Sequence, residues 1–316
     1  MTTDAAEVVR VEGLVKDFRP GLGLRSKRIL HGIDFSVHEN EIFGFVGPNG
    51  AGKTTTLKVL MGLIKPTAGG ATILGHDIRE SGFREHVGFL PEISYFYDYL
   101  TGVEFLDFYA RLSGVPRAQR PDRIATLLGW VGLSHAADAR LRTYSKGMLQ
   151  RVGIAQALIH DPQVVFLDEP MSGLDPLGRK EIRDLILRLK RDGKTVFMNT
   201  HILSDVEMVC DRVAIIVKGA IRYEGRIEEF ISDEDQKADV VLAGLPTELA
   251  PRLEQQFGAE LRGHGQQVEA RVLEKNVNDV LRVAIDAGAS IQSVTPVRVS
   301  LESIFLKTVE QSEEGN

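Results

Sequence analysis

Residues 47–55 read GPNGAGKTT, which has the residue types and the spacing of a loop that binds phosphate. Its glycines allow backbone N–H groups to curl around phosphate oxygens, Lys53 adds a mobile positive charge, and the hydroxyl of Thr54 can ligate Mg²⁺. A predicted strand precedes the loop and a predicted helix follows it, so the positive end of the helix dipole adds to the attraction for an anion. The predicted phosphate-binding residues are Gly47, Pro48, Asn49, Gly50, Ala51, Gly52, Lys53, Thr54 and Thr55.

Two adjacent carboxylates end a second apolar stretch, VVFLDEP at residues 164–170. Asp168 is predicted to hold Mg²⁺ through water, since a phosphate loop of this kind needs a carboxylate for its metal. Glu169 follows at once and points elsewhere by strand alternation, so it is placed to orient or deprotonate an attacking water. The pair therefore indicates hydrolysis at the bound phosphate.

A second stretch of small residues begins a helix at YSKGMLQR, residues 144–151. Ser145 and Gly147 precede a run that is typical of a buried helix, and small residues at a helix start favour an anion site. The chain thus carries a second candidate anion site besides the loop at 47–55.

Short apolar strands alternate with amphipathic helices and glycine-rich turns over residues 1–228, which predicts an α/β fold around a largely parallel sheet. The candidate strands are 41–47, 164–170, 195–200 and 212–219. Residues 92–155 are helical in pattern, and Thr101 with Glu104 has the spacing of a capping box at a helix start. We therefore expect a helical section inserted between elements of the sheet.

The pattern changes after residue 228. An acidic stretch at 229–238 is predicted to be a linker, and residues 239–310 are predicted to form a small α+β accessory domain. The elements of this domain follow the order β-α-β-β-α-β, which suggests a ferredoxin-like unit. A short helix is expected around residues 300–309, and residues 311–316 are expected to be a disordered tail.

The composition, with 316 residues, 43% hydrophobic and 26% charged, is that of a soluble globular protein of roughly two domains. The net charge is −6 and no basic patch stands out, so nucleic acid is not an expected partner. A single cysteine excludes an internal disulfide framework and fits a reducing compartment. Neither an export signal nor an apolar run of about 18 residues is found, so attachment to a membrane is expected to need another protein.

Taken together, these motifs resemble the ATP-binding subunit of ABC transporters over residues 8–225. GPNGAGKTT is similar to the Walker A motif, VVFLDEP to Walker B, SGLDP at 172–176 to the D-loop, and YSKGMLQR to the family signature. His201, in MNTH, resembles the switch histidine that contacts the γ-phosphate. The resemblance implies the P-loop NTPase fold of ABC ATPases, with a helical subdomain at about 92–155, and hydrolysis of ATP with Mg²⁺. The implied catalytic residues are Lys53, Glu169 and His201.

The resemblance also implies a dimer, since in this family two nucleotide-binding domains pair head to tail. Each ATP lies between the Walker A motif of one domain and the signature of the other. Ser145 and Gly147 would then contact ATP held by a second copy, most simply in a homodimer, which accounts for two anion sites in one chain. Asp175 would cross the dimer interface, with a plain turn residue as the alternative. The departures from the usual signature are Tyr144, Lys146 and Met148.

Two further residues have roles that the resemblance implies. Phe18 is similar to the aromatic residue that stacks on adenine, with a core phenylalanine at a strand end as the alternative. Glu92 stands where the family more often has a glutamine that touches Mg²⁺ and senses the membrane partner, and a glutamate can still ligate a hard metal through oxygen. The implied metal ligands are Thr54, Glu92 and Asp168.

An integral-membrane permease is the partner that the resemblance implies. The aromatic stretch YFYDYL at 95–100 lies where family members receive a short helix of that permease, with packing inside the helical subdomain as the alternative. The signature, GFLPE and LESIFL at 301–306 look more like exporter-type ATPases, including those of the ABC-2 class, than importer ones. The chain is expected to be cytoplasmic and peripheral on the cytoplasmic face of the membrane. A soluble ABC-type ATPase that acts on ribosomes or DNA, and a P-loop switch without transport, are the alternatives.

Overall fold

The computed structural model describes residues 6–18, 26–227, 237–264, 267–297 and 305. The chain divides into two compact units between Arg226 and Ile227. None of the described helices is both long enough and apolar enough to cross a membrane.

The first unit is built from strands and helices that alternate along the chain. Its strands are β1 (Glu7–Phe18), β2 (Lys27–His38), β3 (Ile42–Val46), β4 (Ala68–Ile73), β5 (His76–Asp77), β6 (Val87–Leu90), β7 (Val164–Asp168), β8 (Thr195–Thr200), β9 (Arg212–Val217) and β10 (Ala220–Arg226). Its helices are α1 (Lys53–Leu60), α2 (Gly102–Leu112), α3 (Arg120–Trp130), α4 (Lys146–Ala157), α5 (Pro176–Arg191) and α6 (Leu203–Val209). The predicted α/β class is confirmed.

A six-stranded sheet in the order β10-β9-β3-β8-β7-β6 forms the centre of this unit. The strands from β9 to β6 run parallel, and β10 pairs antiparallel at one edge. Strands β3, β7 and β8 are buried along their whole length, as expected for apolar strands that are covered on both faces. Because neighbouring parallel strands end on the same side, the residues that follow β3, β7 and β8 meet at the carboxyl ends of these strands.

The sequence patterns do not predict the second sheet, which is antiparallel and has the order β2-β1-β4-β5. Strands β1 and β2 are 12 residues long, yet their pairing shifts register at several points, for example between Val11 and Leu14. Each shift moves the buried side chains to alternate positions, so the regular alternation that marks a strand in the sequence is interrupted.

Helices α2, α3 and α4 pack on one another and form the predicted helical section. Helix α2 begins with the predicted capping box, which is confirmed. The backbone N–H of Thr101 donates to Glu104 Oε2 at 2.9 Å, and Thr101 Oγ1 accepts from the backbone N–H of Glu104 at 3.2 Å. Helix α4 packs on β6, the edge strand of the central sheet, and this contact positions the helix.

Five phenylalanine rings fill the core between the central sheet and β2: Phe35, Phe43, Phe45, Phe166 and Phe197. Neighbouring ring centroids lie 5.2 to 6.1 Å apart, within the range of favourable aromatic contacts. The rings come from β2, β3, β7 and β8, so they fix the mutual positions of the strands that carry the candidate site.

The second unit has the predicted order β-α-β-β-α-β. Its elements are β11 (Lys237–Ala243), α7 (Ala250–Phe257), β12 (Glu260–His264), β13 (Gln267–Leu273), α8 (Val277–Asp286) and β14 (Ser290–Val297). The strands form an antiparallel sheet in the order β12-β13-β11-β14, which is the arrangement expected of a ferredoxin-like unit. Leu253 of α7 and Val280 and Ala284 of α8 are buried in its core against the sheet.

Strand β11 begins at Lys237, inside the stretch that was expected to be a linker. The rest of that stretch, residues 229–236, lies outside the described residues. The short helix expected around residues 300–309, apart from residue 305, and the tail at 311–316 also lie outside them.

Candidate functional site

The phosphate loop, residues 47–55, joins the end of β3 to the start of α1 in a shape that two glycines make possible. A Cβ atom on Gly47 would lie 2.2 Å from the carbonyl oxygen of Ile216, so no larger residue fits there. Gly52 caps α1 with φ 112°, in the left-handed region that favours glycine. The loop therefore brings its backbone close to the sheet and turns directly into a helix N-terminus, which is the geometry of an anion cradle.

Lys53 is the first residue of α1, and its side chain curls back over the phosphate loop. Its Nζ donates to the carbonyl oxygen of Gly47 at 2.8 Å and to that of Pro48 at 3.3 Å. Burial lowers the pKa of Lys53, while the charges of Glu169, Asp168 and Glu92 oppose this shift. The ammonium group thus lies between the loop backbone and three carboxylates, where it can contact a phosphate.

Asp168 is the last residue of β7 and is 3% exposed. Its Oδ1 accepts a hydrogen bond from Nδ2 of Asn199, on the adjacent strand β8, at 2.5 Å. Burial raises the pKa of Asp168 to about 6; the Asn199 amide and Lys53 oppose this shift, and the charges of Glu92 and Glu169 add to it. A raised carboxyl pKa next to a phosphate loop is typical of a functional site.

Glu169 does not continue the strand, and the expectation that it follows strand alternation is wrong. Strand β7 ends at Asp168, and Glu169 adopts φ 49°, a left-handed conformation that is uncommon for a residue with a side chain. Its backbone N–H donates to the carbonyl oxygen of Asn199 at 2.8 Å, which holds this turn in place. Backbone strain of this kind often lies at functional sites, where the surrounding structure maintains it.

Glu169 is 7% exposed, and its carboxylate is held by two neighbours on the β8 side. His201 Nδ1 lies 2.8 Å from Glu169 Oε1, and the Thr200 hydroxyl donates to Oε2 at 3.3 Å. The backbone N–H of Ile202 donates to the same Thr200 oxygen at 3.1 Å, so the hydroxyl hydrogen remains available for the carboxylate. The fold therefore brings together, at the carboxyl ends of the central strands, four residues that were predicted from the sequence: Lys53, Asp168, Glu169 and His201.

The oxygen ligands at the carboxyl ends of these strands suit a magnesium ion. Thr54 follows Lys53 at the start of α1, and the exposed Glu92 is close enough to Asp168 and Lys53 to shift the pKa of each. A hydroxyl and one or two carboxylates, completed by phosphate and water, are the ligands that Mg²⁺ usually takes. The described residues contain no cluster of three or more histidine, cysteine, aspartate or glutamate side chains arranged as a complete metal site. The protein groups thus fit a metal that is held jointly with phosphate.

Phe18 is the last residue of β1 and is 41% exposed, so it is not a core phenylalanine. The Nζ atom of Lys16 lies 5.0 Å from the centroid of its ring. An exposed ring with a nearby cation can stack on a nucleotide base while its neighbour attracts phosphate.

Ser145 and Gly147 lie at the start of α4, in the same unit. Ser145 caps α4, accepting a hydrogen bond from the backbone N–H of Met148 at 3.2 Å, and it is exposed. Gly147 faces Leu174, whose Cδ2 lies 3.9 Å from the position of a Cβ on that glycine. Helix α4 packs on β6, which in the sheet is separated from β3 by β8 and β7. The start of α4 therefore belongs to a surface formed with residues 172–176, whereas Lys53 lies among Asp168, Glu169 and Glu92.

Asp175 lies in the same surface and caps the next helix. Its Oδ1 accepts a hydrogen bond from the backbone N–H of Gly178 at 2.8 Å at the start of α5. It is exposed, so this local role leaves its outer face open to contacts with another molecule.

Sequence reasoning missed two residues of the site, Asn199 and Thr200. Both are buried, at 0% and 3% exposure, and they hold the two carboxylates that it did identify. The only signal in the sequence is that two polar residues end the otherwise apolar strand TVFMNT. Their partners lie 31 residues earlier, so the pairing becomes visible only when β7 and β8 are placed side by side.

Comparison with known proteins places this arrangement in a family. The family described as "ABC transporter" matches residues 30–172, which include the phosphate loop, the start of α4 and both carboxylates. An uncharacterized ABC transporter ATP-binding protein of Synechocystis is 42% identical over 313 residues, covering 97% of this chain and 86% of that protein. A fluoroquinolones export ATP-binding protein of Mycobacterium tuberculosis is 41% identical over 217 residues, covering 68% of this chain and 69% of the relative.

A solved structure agrees with these relatives. The dimeric, post-hydrolysis structure of the ATP-binding cassette MJ0796 with ADP and phosphate has a TM-score of 0.63 and 25% identity, covering 69% of this chain and 98% of that cassette. The phosphate loop, the two carboxylates and the fold thus lead to one conclusion: the chain belongs to the ATP-binding proteins of ABC transporters and is an ATP-hydrolysing subunit of that family.

Proposed function

We propose that this chain powers a separate integral-membrane permease, as a Mg²⁺-dependent ATPase that works in a dimer on the cytoplasmic face of the membrane, and that the transport is export. The observation that carries the proposal is that Lys53, Asp168 and Glu169 lie together at the carboxyl ends of the central strands. The charge of each of these residues shifts the pKa of a neighbour. A P-loop amine beside two carboxylates of different environment supports ATP hydrolysis.

The phosphates of ATP bind to the backbone of the phosphate loop and to the Lys53 amine, which exchanges its bonds to Gly47 and Pro48 for bonds to the γ-phosphate. The Thr54 hydroxyl, the Asp168 carboxylate and Glu92 hold the metal, which neutralises phosphate charge when it is bound. Phe18 stacks on the adenine ring from the end of β1.

Glu169 orients and deprotonates the attacking water, because its carboxylate is held at the edge of the loop by Thr200 and His201. An ionised carboxylate only accepts hydrogen bonds, so the bond to Glu169 places the proton of His201 on Nδ1. The other ring nitrogen, Nε2, is then left to face the γ-phosphate.

The dimer completes the site, because the phosphate loop follows β3, whereas Ser145 and Gly147 start a helix that packs on β6, which β8 and β7 separate from β3. In a homodimer with head-to-tail pairing, the N-terminus of α4 of one copy meets the γ-phosphate held by the other copy. ATP then joins the two copies, and hydrolysis releases them. Asp175, on the same surface, crosses the interface.

The permease docks on a cluster of exposed aromatic rings in the helical section. Tyr95, Tyr97 and Tyr99 are 89%, 42% and 62% exposed. The rings of Tyr97 and Phe108 pack edge to face, with their centroids 5.4 Å apart. The surfaces of soluble proteins rarely expose several large aromatic rings together unless a partner protein covers them. Aromatic side chains are frequent anchors of protein–protein contacts.

Export is the favoured direction because the Mycobacterium tuberculosis relative is described as a fluoroquinolones export protein. The net charge of −6 supports a protein partner over nucleic acid, which disfavours an ATPase that acts on ribosomes or DNA.

The proposal is tested by capturing the chain from detergent-solubilised membranes of its native cells and identifying the proteins that come with it. A polytopic membrane protein in stoichiometric amount is expected. Recovery of the chain only from the cytosol, together with ribosomal proteins or DNA-bound factors, would overturn the transport role and leave the ATPase activity unaffected.

A further inference from the structure

Asn199 makes one hydrogen bond with its side chain, and that bond is to Asp168. Its Nδ2 donates to Asp168 Oδ1 at 2.5 Å, in the middle of the central sheet. Its Oδ1 is buried and has no hydrogen-bond partner among the described residues. The residue is fully buried, so solvent does not supply the missing donor.

Such a residue is unfavourable for the fold alone, because burying an amide oxygen without a partner costs free energy. The three positions that precede Asn199 in β8 are Val196, Phe197 and Met198, all fully buried and apolar, and Thr200 follows it. An apolar side chain at 199 would extend this core and remove the unpaired oxygen. The favourable contact that the structure shows for this amide is the hydrogen bond that its Nδ2 donates to Asp168.

The bond to Asn199 occupies one oxygen of the Asp168 carboxylate and leaves the other for a different ligand. A carboxylate that is free to rotate has no preferred oxygen, whereas a donor fixed in a neighbouring strand holds the group in one orientation. Residues Phe45 and Asp168 flank Asn199 in the sheet, so the backbone of the donor is itself held from both sides.

We propose that Asn199 is a positioning residue for nucleotide-bound Mg²⁺, which fixes the Asp168 carboxylate so that its second oxygen is presented toward the metal. This inference rests on the proposed role of Asp168 in holding the metal. Thr200 and His201, the next two residues of the chain, hold Glu169 instead. Three consecutive residues thus hold the two carboxylates. Asn199 holds Asp168, which is proposed to bind the metal, and Thr200 and His201 hold Glu169, which is proposed to activate water.

The test measures binding of a fluorescent, non-hydrolysable ATP analogue by the full-length chain, with Mg²⁺ and with EDTA. Asn199→Leu removes the donor and the unpaired oxygen together in a side chain of similar size. We expect the gain in affinity that Mg²⁺ provides to fall about tenfold or more, the usual effect of removing an outer-shell partner of a metal ligand. Affinity in EDTA stays at the wild-type value, because the phosphate loop is intact.

Thr200→Val is the matched control, since it is also buried, keeps the shape of the side chain and removes a donor from Glu169 instead of Asp168. We expect its Mg²⁺ effect on binding to equal that of the wild type. Asn199→Val, which is smaller and cannot overpack the sheet, repeats the measurement if Asn199→Leu does not fold.

A full Mg²⁺ effect in the Asn199 variants overturns the inference, and so does an equal loss of affinity with Mg²⁺ and with EDTA. Asp168→Asn in the same titration separates this failure from that of the proposed function. If Asp168→Asn keeps the Mg²⁺ effect, the metal role of Asp168 is wrong. If it loses the effect while Asn199→Leu keeps it, only the positioning role of Asn199 is wrong.

Discussion

His201 Nδ1 lies 2.8 Å from Oε1 of Glu169. The His201 side chain is 44% exposed and the Glu169 side chain is 8% exposed, so the histidine is the solvent-facing member of the pair. The group proposed to activate water and the group proposed to contact phosphate are therefore in direct contact with each other. Displacement of one of them changes the position of the other.

Replacing Glu169 with glutamine separates ATP binding from hydrolysis. The amide has the same shape but is a poor base, so we expect phosphate release to slow by a factor of about 100 or more while ATP binding persists. Phosphate release and nucleotide affinity are measured on the same preparation. Glu80→Gln, at an exposed position, is the control with wild-type activity. Hydrolysis at the wild-type rate by Glu169→Gln would exclude Glu169 as the base.

Replacing Lys53 with alanine removes the cation that lies over the phosphate loop. We expect ATP affinity to fall by about tenfold or more, the usual effect of losing a hydrogen bond to a charged group. Isothermal titration calorimetry measures this affinity. Lys58→Ala, at an exposed position in the same helix, should bind ATP as the wild type does. Equal binding by the two variants would contradict the assignment of the phosphate loop.

Ser145 can be tested without loss of its capping role, because aspartate and asparagine cap helices as well as serine does. We expect Ser145→Asp to bind ATP as a monomer but to dimerise poorly, since its charge would face the γ-phosphate of the other copy. Ser145→Asn keeps the cap without the charge and should dimerise more readily. Size-exclusion chromatography with ATP, in the Glu169→Gln background, measures the fractions of monomer and dimer. A monomer in ATP for Glu169→Gln alone would contradict the shared site.

Mg²⁺-dependent ATP binding should weaken as the pH falls through about 6, because burial raises the pKa of Asp168 to that value and the protonated form is a poor metal ligand. Affinity measured with Mg²⁺ should lose up to about tenfold per pH unit below it, while affinity in EDTA should not show this step. Asp168→Asn should remove the step. If the step persists in that variant, another group causes it.

The same shift has a consequence for stability. The folded pKa of Asp168, about 6, is higher than the unfolded value of 3.8, so between these values the folded chain holds a proton that the unfolded chain has released. The free energy of unfolding that this group contributes therefore decreases as the pH rises through this window. We expect Asp168→Asn to unfold at a higher temperature than the wild type at pH 7, as measured by calorimetry. A lower unfolding temperature would contradict the proposed burial cost.

Tyr95 is the most exposed ring of the aromatic cluster and offers a test of the docking surface. Tyr95→Ser should leave the ATPase activity of the isolated chain unchanged and reduce the amount of membrane protein that is captured with it. Ile285→Ser, an exposed apolar residue in the second unit, is the control for a general loss of surface hydrophobicity. Equal capture with both variants would place the docking surface elsewhere.

Local signals were sufficient to predict the parts of the fold whose cause lies within a few residues. Thr101 and Glu104 bond across three residues, and the phosphate loop depends on its own glycines and on the helix that follows. The apolar runs of β3 and β7 also indicate from their own residues that these strands are buried on both faces.

The features that sequence reasoning missed depend on contacts between distant parts of the chain. Asn199 is one polar residue in a short strand, and its importance becomes clear only from the adjacent strand that ends in Asp168. Glu169 leaves its strand because its N–H group bonds to the backbone of β8, which the residues around it do not indicate. Whether Phe18 is a core residue could be decided only from its exposure in the structure.

The separation of Ser145 from Lys53 has a genetic consequence. If each site takes its phosphate loop from one copy and its α4 terminus from the other, a chain altered at Ser145 damages the site of its unaltered partner and keeps its own cradle sound. In a cell that makes both forms in equal amounts, about three quarters of randomly paired dimers would contain an altered copy. Substitutions at Ser145 should therefore act dominantly, whereas a chain that cannot pair at all should be recessive.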